Sequence, residues 1–485
     1  MKKNLPIVLL GLCSTAAYAI DDTKTFLLTD VYFQQETKEH TPWQAITPQG
    51  DYQGYIEIDG QRYQVDNDKE SLELAIYYAI NQQQWDKLAE FVAAYRQLPD
   101  YQVSLALMAE GLIARQQGHT TSAVSLLEEA KKHNPYDSRL LLELGRVYAE
   151  DYQTNAARAS FTQVLQTPAI PDATKQRIGS FIQYLDDRQK WKGVVSLGYG
   201  YQNNINQANG YTSCAFYFMN TCLIEQQLEK PVGSTFIQYQ AALSKIIELK
   251  GHHKLEIRPL LYGTQYRHKT SGAIRNYSDN MINLSIGYRY QNAQTSFTLA
   301  PTIERYYQDG QTQYWSKGLS VGLEQSLTPR LLLYLQVEGK RFSSKNKQYY
   351  SDYTQYSSST GVSYGVTPST SAYIGYDYDR KKYAESAASS INHSLRLGLF
   401  KSFENETYIN VMGIYRDSRY GGKTFLSPTP RHDKQKILIA AVGFPQWNIY
   451  NIYPELKFKR VINDSNIIFY PYKQSEVSLN MKYIF

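Results

Sequence analysis

The sequence predicts an α+β chain in two parts, an α-helical solenoid followed by a 14-stranded antiparallel transmembrane β-barrel. Three observations predict it. From Trp191 to Phe485 the chain reads as short segments that alternate polar with apolar or aromatic residues. Leu331, Leu333, Leu335 and Val337 fall on one face, while Tyr334, Gln336, Glu338 and Lys340 fall on the other. Strand side chains alternate with period two, so each such segment presents oil on one surface and water on the other. The segments are long enough for a tilted strand to cross a bilayer. Their polar faces carry full charges, which a wet lumen permits, and 31 of the 44 tyrosines follow Trp191, many at segment ends where aromatic girdles sit. Before Trp191 the period turns helical and a 34-residue repeat emerges.

The chain has 485 residues and a mean hydropathy of −0.49, which leaves room for a barrel because only alternate residues face lipid. Residues 1–19 read as a secretory signal: Lys2 and Lys3, an apolar run from Leu5 to Leu12, and Ala17-Tyr18-Ala19 as a small-x-small cleavage site. The apolar run is too short for a membrane anchor. Leu12 precedes Cys13, where a lipoprotein signal needs a small residue. Cys214 and Cys222 remain, and an exported pair at this spacing is expected to form a disulfide.

Residues 20–68 form an N-terminal segment with a small hairpin turn suggested at Glu57-Ile58-Asp59-Gly60. Residues 69–190 carry the repeat. Gly111, Ala123, Leu127 and Ala130 recur 34 positions on as Gly145, Ala157, Phe161 and Val164, with prolines at 135 and 168. Small residues let paired helices approach and large ones fill the gaps. This is a tetratricopeptide-type (TPR) array, and such solenoids bind polypeptide on their concave face. By phase, Met108, Leu112, Arg115, Arg139, Leu142 and Arg146 should line that groove.

Residues 191–485 supply fourteen candidate strands: 192–202, 234–247, 253–266, 281–291, 295–306, 318–327, 330–342, 356–366, 370–379, 391–401, 405–416, 434–443, 452–461 and 475–485. Connectors after odd strands are long and those after even strands mostly short, as in outer-membrane barrels. That places the helical part and Phe485 on the periplasmic side. A terminal aromatic also suits recognition by barrel-assembly machinery. Phase puts Arg258, Arg289, Glu338, Lys340, Arg396, Lys457, Lys459 and Lys482 in the lumen, either to serve transport or to bind one another in salt bridges.

Charge is divided. Residues 20–190 hold 16 Lys+Arg against 25 Asp+Glu, and residues 191–485 hold 33 against 20. The basic residues are scattered through strands and loops rather than clustered on a helix, which favours a charged lumen and charged surface loops over a nucleic-acid partner. No HExxH, CxxC, GxSxG or P-loop pattern occurs. His252-His253 reads as a solvated turn, and His432-Asp433 as a chance neighbour pair rather than part of a catalytic group. No catalytic residue, cofactor or metal is expected.

The order of export signal, short TPR array and barrel resembles the surface lipoprotein assembly modulator (Slam) family. Trp191-Lys192 opens the barrel; Asn204-Ile205-Asn206-Gln207-Ala208 is similar to an NINQA run after the family's first strand; Arg431, Asp433 and Lys434 resemble its late Arg-x-Asp-Lys stretch; Ser465-Asn466 precedes the final strand. The Tyr211–Leu223 loop has no counterpart in that pattern. The resemblance implies an outer-membrane translocator of type XI secretion, delivering surface lipoproteins or secreted haem-binding proteins, with periplasmic chaperones as further partners. The alternative is a TPR-barrel exopolysaccharide export porin, against which the short array and mixed-charge lining count.

Overall fold

The computed structural model describes residues 22, 26, 27, 54–58, 61–167, 170–218, 221–270, 275–345, 347, 351–424 and 427–485, with backbone alone at 58, 213–218 and 221–226. The expected leader and its cleavage site lie outside these residues.

A short antiparallel hairpin, β1 (Tyr55–Ile58) and β2 (Gln61–Gln64), leads into the helices, with Ile58 opposite Gln61. Seven helices follow: α1 (Lys69–Gln82), α2 (Trp85–Tyr95), α3 (Val103–Gln116), α4 (Thr120–His133), α5 (Ser138–Glu150), α6 (Thr154–Leu165) and α7 (Asp172–Asp187). Side-chain caps fix the starts of α1 and α5. The Asp68 carboxylate accepts from Ser71 N–H at 2.9 Å, which satisfies an orphan donor and holds that carboxyl below its ordinary pKa. Asp137 caps α5 by accepting from Arg139 and Leu140 N–H.

The repeat glycines act as spacers. A Cβ on Gly111 would meet Leu127 at 2.9 Å, and one on Gly145 would meet Phe161 at 2.8 Å. Any side chain there would push α4 off α3, or α6 off α5. Leu72, Ile76, Leu88, Phe91, Leu105, Leu112 and Leu127 fill one continuous core. Leu141, Ala157, Phe161, Val164, Ile178 and Leu185 fill a second, sealed by α7.

The barrel strands are β3 (Lys192–Gln202), β6 (Ser234–Lys250), β7 (His253–Tyr266), β8 (Asp279–Gln291), β9 (Thr295–Gln308), β10 (Gln311–Thr328), β11 (Leu331–Ser344), β12 (Tyr353–Thr367), β13 (Thr370–Tyr383), β14 (Ser390–Ser402), β15 (Tyr408–Tyr420), β16 (His432–Gly443), β17 (Ile452–Ser465) and β18 (Tyr472–Ile484). All pair antiparallel with their neighbours and close into one barrel of 14 strands. The seam joins β18 to β3, from Glu476 opposite Gln202 to Ile484 opposite Val194. Gly193 and Phe485 exchange backbone hydrogen bonds at 2.8 and 3.1 Å. The last residue therefore completes the ladder and leaves no open edge.

Side chains alternate as the sequence requires. On β8, Asn283 and Ser285 are buried inside while Ile282, Leu284 and Ile286 face out. The outer surface is an apolar belt suited to hydrocarbon.

Two local differences from the sequence reading stand out. Residues 307–317 were expected to loop, but β9 and β10 run on to a two-residue turn. Asp309 and Gly310 take φ of 52° and 72°, the doubly left-handed turn that Asp-Gly adopts between twisted strands. Residues between 202 and 234 were also expected to hold no strand. They contain a separate hairpin, β4 (Thr212–Phe218) and β5 (Thr221–Gln227). The backbone puts Cys214 opposite Glu225 and Cys222 opposite Tyr217. The two cysteine side chains, and with them the expected disulfide, lie outside the described residues.

Candidate functional site: the barrel lumen and its two rims

One rim of the barrel bears the helices. Asp151, the residue after α5, is only 2% exposed because it is pressed against the barrel. Its carboxylate meets His252 Nε2 at 2.6 Å and accepts from Ala293 N–H at 3.2 Å, so it ties the β6–β7 turn to the β8–β9 turn. Lys254 Nζ donates to Tyr152 O at 2.9 Å and to Glu248 at 3.0 Å. Asn155 N–H donates to Glu248, and Gln294 donates to Gly118 O. The expectation of a solvated His252 is corrected. Its partner lies 101 residues away, and nothing local in the sequence signals the contact. His252→Ala should cost about 1.5–3 kcal/mol of docking, the range for a hydrogen bond to a charged group. Hydrogen exchange should then speed up at residues 151–155 and 292–294 while the barrel seam stays protected.

Between this rim and the helices lies a cavity of ≈ 330 Å³. Tyr152 and Arg188 line it from the helical side, and Glu256, Arg258, Arg289 and Glu338 from the barrel. The α5–α6 turn and the end of α7 thus face the lumen mouth across this cavity.

The lumen wall is largely a network of ion pairs. Arg289 meets Glu256 at 3.0 Å and Glu324 at 3.6 Å; Arg258 reaches Glu256 at 3.7 Å. Lys340 bridges Glu338 (2.9 Å) and Glu304 (3.3 Å). Arg396 holds Asp377 and Tyr334. Lys482, 1% exposed, donates to Glu455 at 2.9 Å and to Tyr408 at 3.1 Å. Lys457 and Lys459 point inward on β17, 5% and 6% exposed, without an ion pair among the described residues. Phase turns these side chains inward and pairs Lys340 with Glu338 two positions away on β11, but it does not find the partners on other strands, such as Glu256 for Arg289, Glu304 for Lys340, Asp377 for Arg396 and Glu455 for Lys482.

The opposite rim is clasped by the motif residues. Asn204, 1% exposed, donates to Ala208 O (2.8 Å) and Lys473 O (2.9 Å) and accepts from Ala208 N–H (3.0 Å). Asn206 donates to Lys230 O and accepts from Val232 N–H, each at 3.0 Å. Ile205 is buried between them, and Gln207 takes a left-handed φ of 51°. Asn209 donates to Ile468 O. Arg431 is clamped by Asp433 at 2.9 Å and lies 3.5 Å from the centre of the Tyr470 ring. Asn466 accepts from His432 N–H and donates to Pro430 O. The separated stretches at 204–209, 430–434 and 465–474 therefore meet at one rim. The Asp433 carboxylate is engaged by Arg431, and His432 pairs with Asp417 at 2.8 Å.

The predicted groove of the helical array divides in two. Met108 and Leu112 are each 1% exposed and sit in the core, which corrects their assignment to the groove. They lie beside Gly111, where α3 packs tightly on its neighbours. Leu142 is half-buried at the edge of the second core. Arg115, Arg139 and Arg146 do converge, on a residue the sequence reading omitted. Glu143, its side chain 4% exposed, lies 3.7 Å from Arg115, 3.1 Å from Arg139 and 3.3 Å from Arg146. Arg115 also pairs with Glu150. The signal was available: Glu143 stands four residues after Arg139 and three before Arg146.

The family model described as "Surface lipoprotein assembly modifier" matches residues 191–485, and its companion for the N-terminal TPR repeats matches residues 58–161. The chain is 25% identical to the "Hemophilin secretion modulator" of Acinetobacter baumannii, with 100% of each chain covered. It is 25% identical to the "Surface lipoprotein assembly modifier" of Pasteurella multocida, over 60% of this chain and 57% of that one. Among solved structures, the outer membrane channel DcaP of A. baumannii aligns over 61% of this chain and 96% of that chain, with a TM-score of 0.35 at 11% identity. The chain belongs to the surface lipoprotein assembly modifier family, as an outer-membrane barrel with its TPR helices on the periplasmic side.

Proposed function

We infer that this chain carries polypeptide cargo from the periplasm through the outer membrane, delivering a surface lipoprotein or a secreted haem-binding protein. The docking of the helical array onto the lumen rim supports this most directly. Cargo gathered by the helices is handed to the pore without first being released. Full-length similarity to the hemophilin secretion modulator favours secreted haem-binding cargo. Folding of the cargo outside makes the step hard to reverse, so the process needs no nucleotide and no catalytic group. A charged polysaccharide would be better served by a wall of one sign than by the paired wall of Arg289, Lys340, Arg396 and Lys482.

The test is co-expression with a secreted protein encoded beside this chain. Full-length protein should bring the cargo to the cell surface or the medium. A variant lacking residues 54–190 should leave it in the periplasm. Equal export by both would contradict the handover.

A further inference from the structure

The lumen contains an occupant from the chain itself. Asp22 is 3% exposed, and its carboxylate accepts from Arg416 Nη1 at 3.4 Å and from Arg416 Nη2. Arg416 points inward on β15 and is held in place by Ser394 Oγ (3.1 Å) and Gln435 Oε1 (3.0 Å), so the guanidinium is fixed for a carboxylate. Phe26 is 6% exposed, packed with Met412, Ile414, Ile437, Ile439 and Val461. Leu27 is 3% exposed, packed with Val194, Leu260, Tyr262, Met281 and Tyr306.

These contacts come from three residues close in sequence, each in helical conformation. Asp22 and Phe26 stand four positions apart in the sequence. Both address the wall formed by β15 and its neighbours. Leu27 is turned about 100° further and reaches the other wall, β3 to β9. The receiving surfaces are unusual for a lumen, which is ordinarily polar. Met412, Ile414, Ile437, Ile439 and Val461 stand at inward positions, where only water would otherwise meet them. The same wall bears Arg416, Lys457 and Lys459, which suits an acidic occupant. The 26 residues between Leu27 and Gly54 can span about 90 Å when extended, so the segment can leave the lumen while still tethered.

We propose that the lumen holds a built binding site for a short acidic–apolar peptide segment, occupied at rest by Asp22, Phe26 and Leu27, and that this resident plug must leave before cargo can pass. A carboxylate fits Arg416, an aromatic four residues later fits the β15–β17 pocket, and an aliphatic side chain beside it fits the β3–β9 pocket. Cargo bearing that pattern competes for the site. Only the identity of the displacing chain rests on the translocation reading.

The first test needs no cargo. In planar bilayers the full chain should be mostly closed. Asp22→Arg and Arg416→Asp should each raise mean conductance about tenfold or more, as expected when one partner of a buried ion pair is removed. The combined D22R/R416D protein should close again. A variant lacking residues 20–28 should stay open, and a synthetic peptide of residues 20–31 should block it, whereas the same peptide carrying Phe26→Ala should not. Equal conductance of the full chain and the deletion variant overturns the proposal, as does failure of the peptide to block.

The second test locks the segment. Leu27→Cys and Met281→Cys, joined by a short bis-maleimide in a Cys214→Ser/Cys222→Ser background, should stop export that the uncoupled protein supports. Export with the lock in place overturns the proposal. If the uncoupled protein exports nothing, the translocation reading fails, and the conductance measurements decide the plug on their own.

Discussion

Replacing Glu143 with leucine should lower the stability of the helical module by about 2–4 kcal/mol, a drop of roughly 10 °C in its melting temperature. Glu143 is the carboxylate on which Arg115, Arg139 and Arg146 converge, and its side chain is 4% exposed. Its removal leaves three guanidinium groups facing one another without the anion that drew them together. The full cost of orphaning a buried ion is not reached, because the Arg139 and Arg146 side chains are 36% and 41% exposed and water can take them up. Arg115 keeps Glu150. Arg146→Leu should accordingly cost well under half as much as Glu143→Leu. Thermal melts of the full-length protein followed by helical circular dichroism read both effects. Equal melting of Glu143→Leu and the parent would show that the cluster is only solvated surface charge.

Asn204→Ala should undo the clasp at the outer rim. The side chain makes three hydrogen bonds at 2.8–3.0 Å and is almost wholly buried. Alanine leaves Ala208 N–H, Ala208 O and Lys473 O without that partner, and each unsatisfied buried group costs about 1–3 kcal/mol unless water enters. The rim is close to solvent, so a total near 3 kcal/mol is expected. The barrel ladder does not depend on this residue, and the loss should stay local. Amide exchange at 204–210 and 468–474 should accelerate about a hundredfold, since each 1.4 kcal/mol is a factor of ten. Exchange at the β18–β3 seam should be unchanged. Asn206→Ala should act in the same direction on residues 229–232. Acceleration spread over the whole barrel would mean that the motif supports global folding rather than the mouth.

The parts of the molecule legible in the sequence were those governed by period. Alternation on β8 and β11 follows from which residues face lipid, and the 34-residue repeat follows from the packing of Gly111 on Leu127 and Gly145 on Phe161. The Asp309-Gly310 hairpin was also legible as turn chemistry, but polar residues on the long outer arms of β9 and β10 resemble loop. Once strands rise above the apolar belt, their outward faces no longer need to be oily. Long-range partners were not legible. Asp151 and His252 are 101 residues apart, and Asp22 and Arg416 are 394 apart. Phase assigns a side chain to a wall but says nothing of what reaches it from across the lumen. Met108 and Leu112 show the converse error, because helical phase alone does not separate a concave groove from a core that wraps round both faces of α3.

The most direct test of the account is transfer into sealed vesicles. Purified full-length protein is inserted into liposomes with the helical module outside, and unfolded cargo is added to the outer solution. The account predicts cargo that becomes protected from added protease, with markedly less protection when residues 54–190 are missing. Protection no greater than in protein-free liposomes would contradict it.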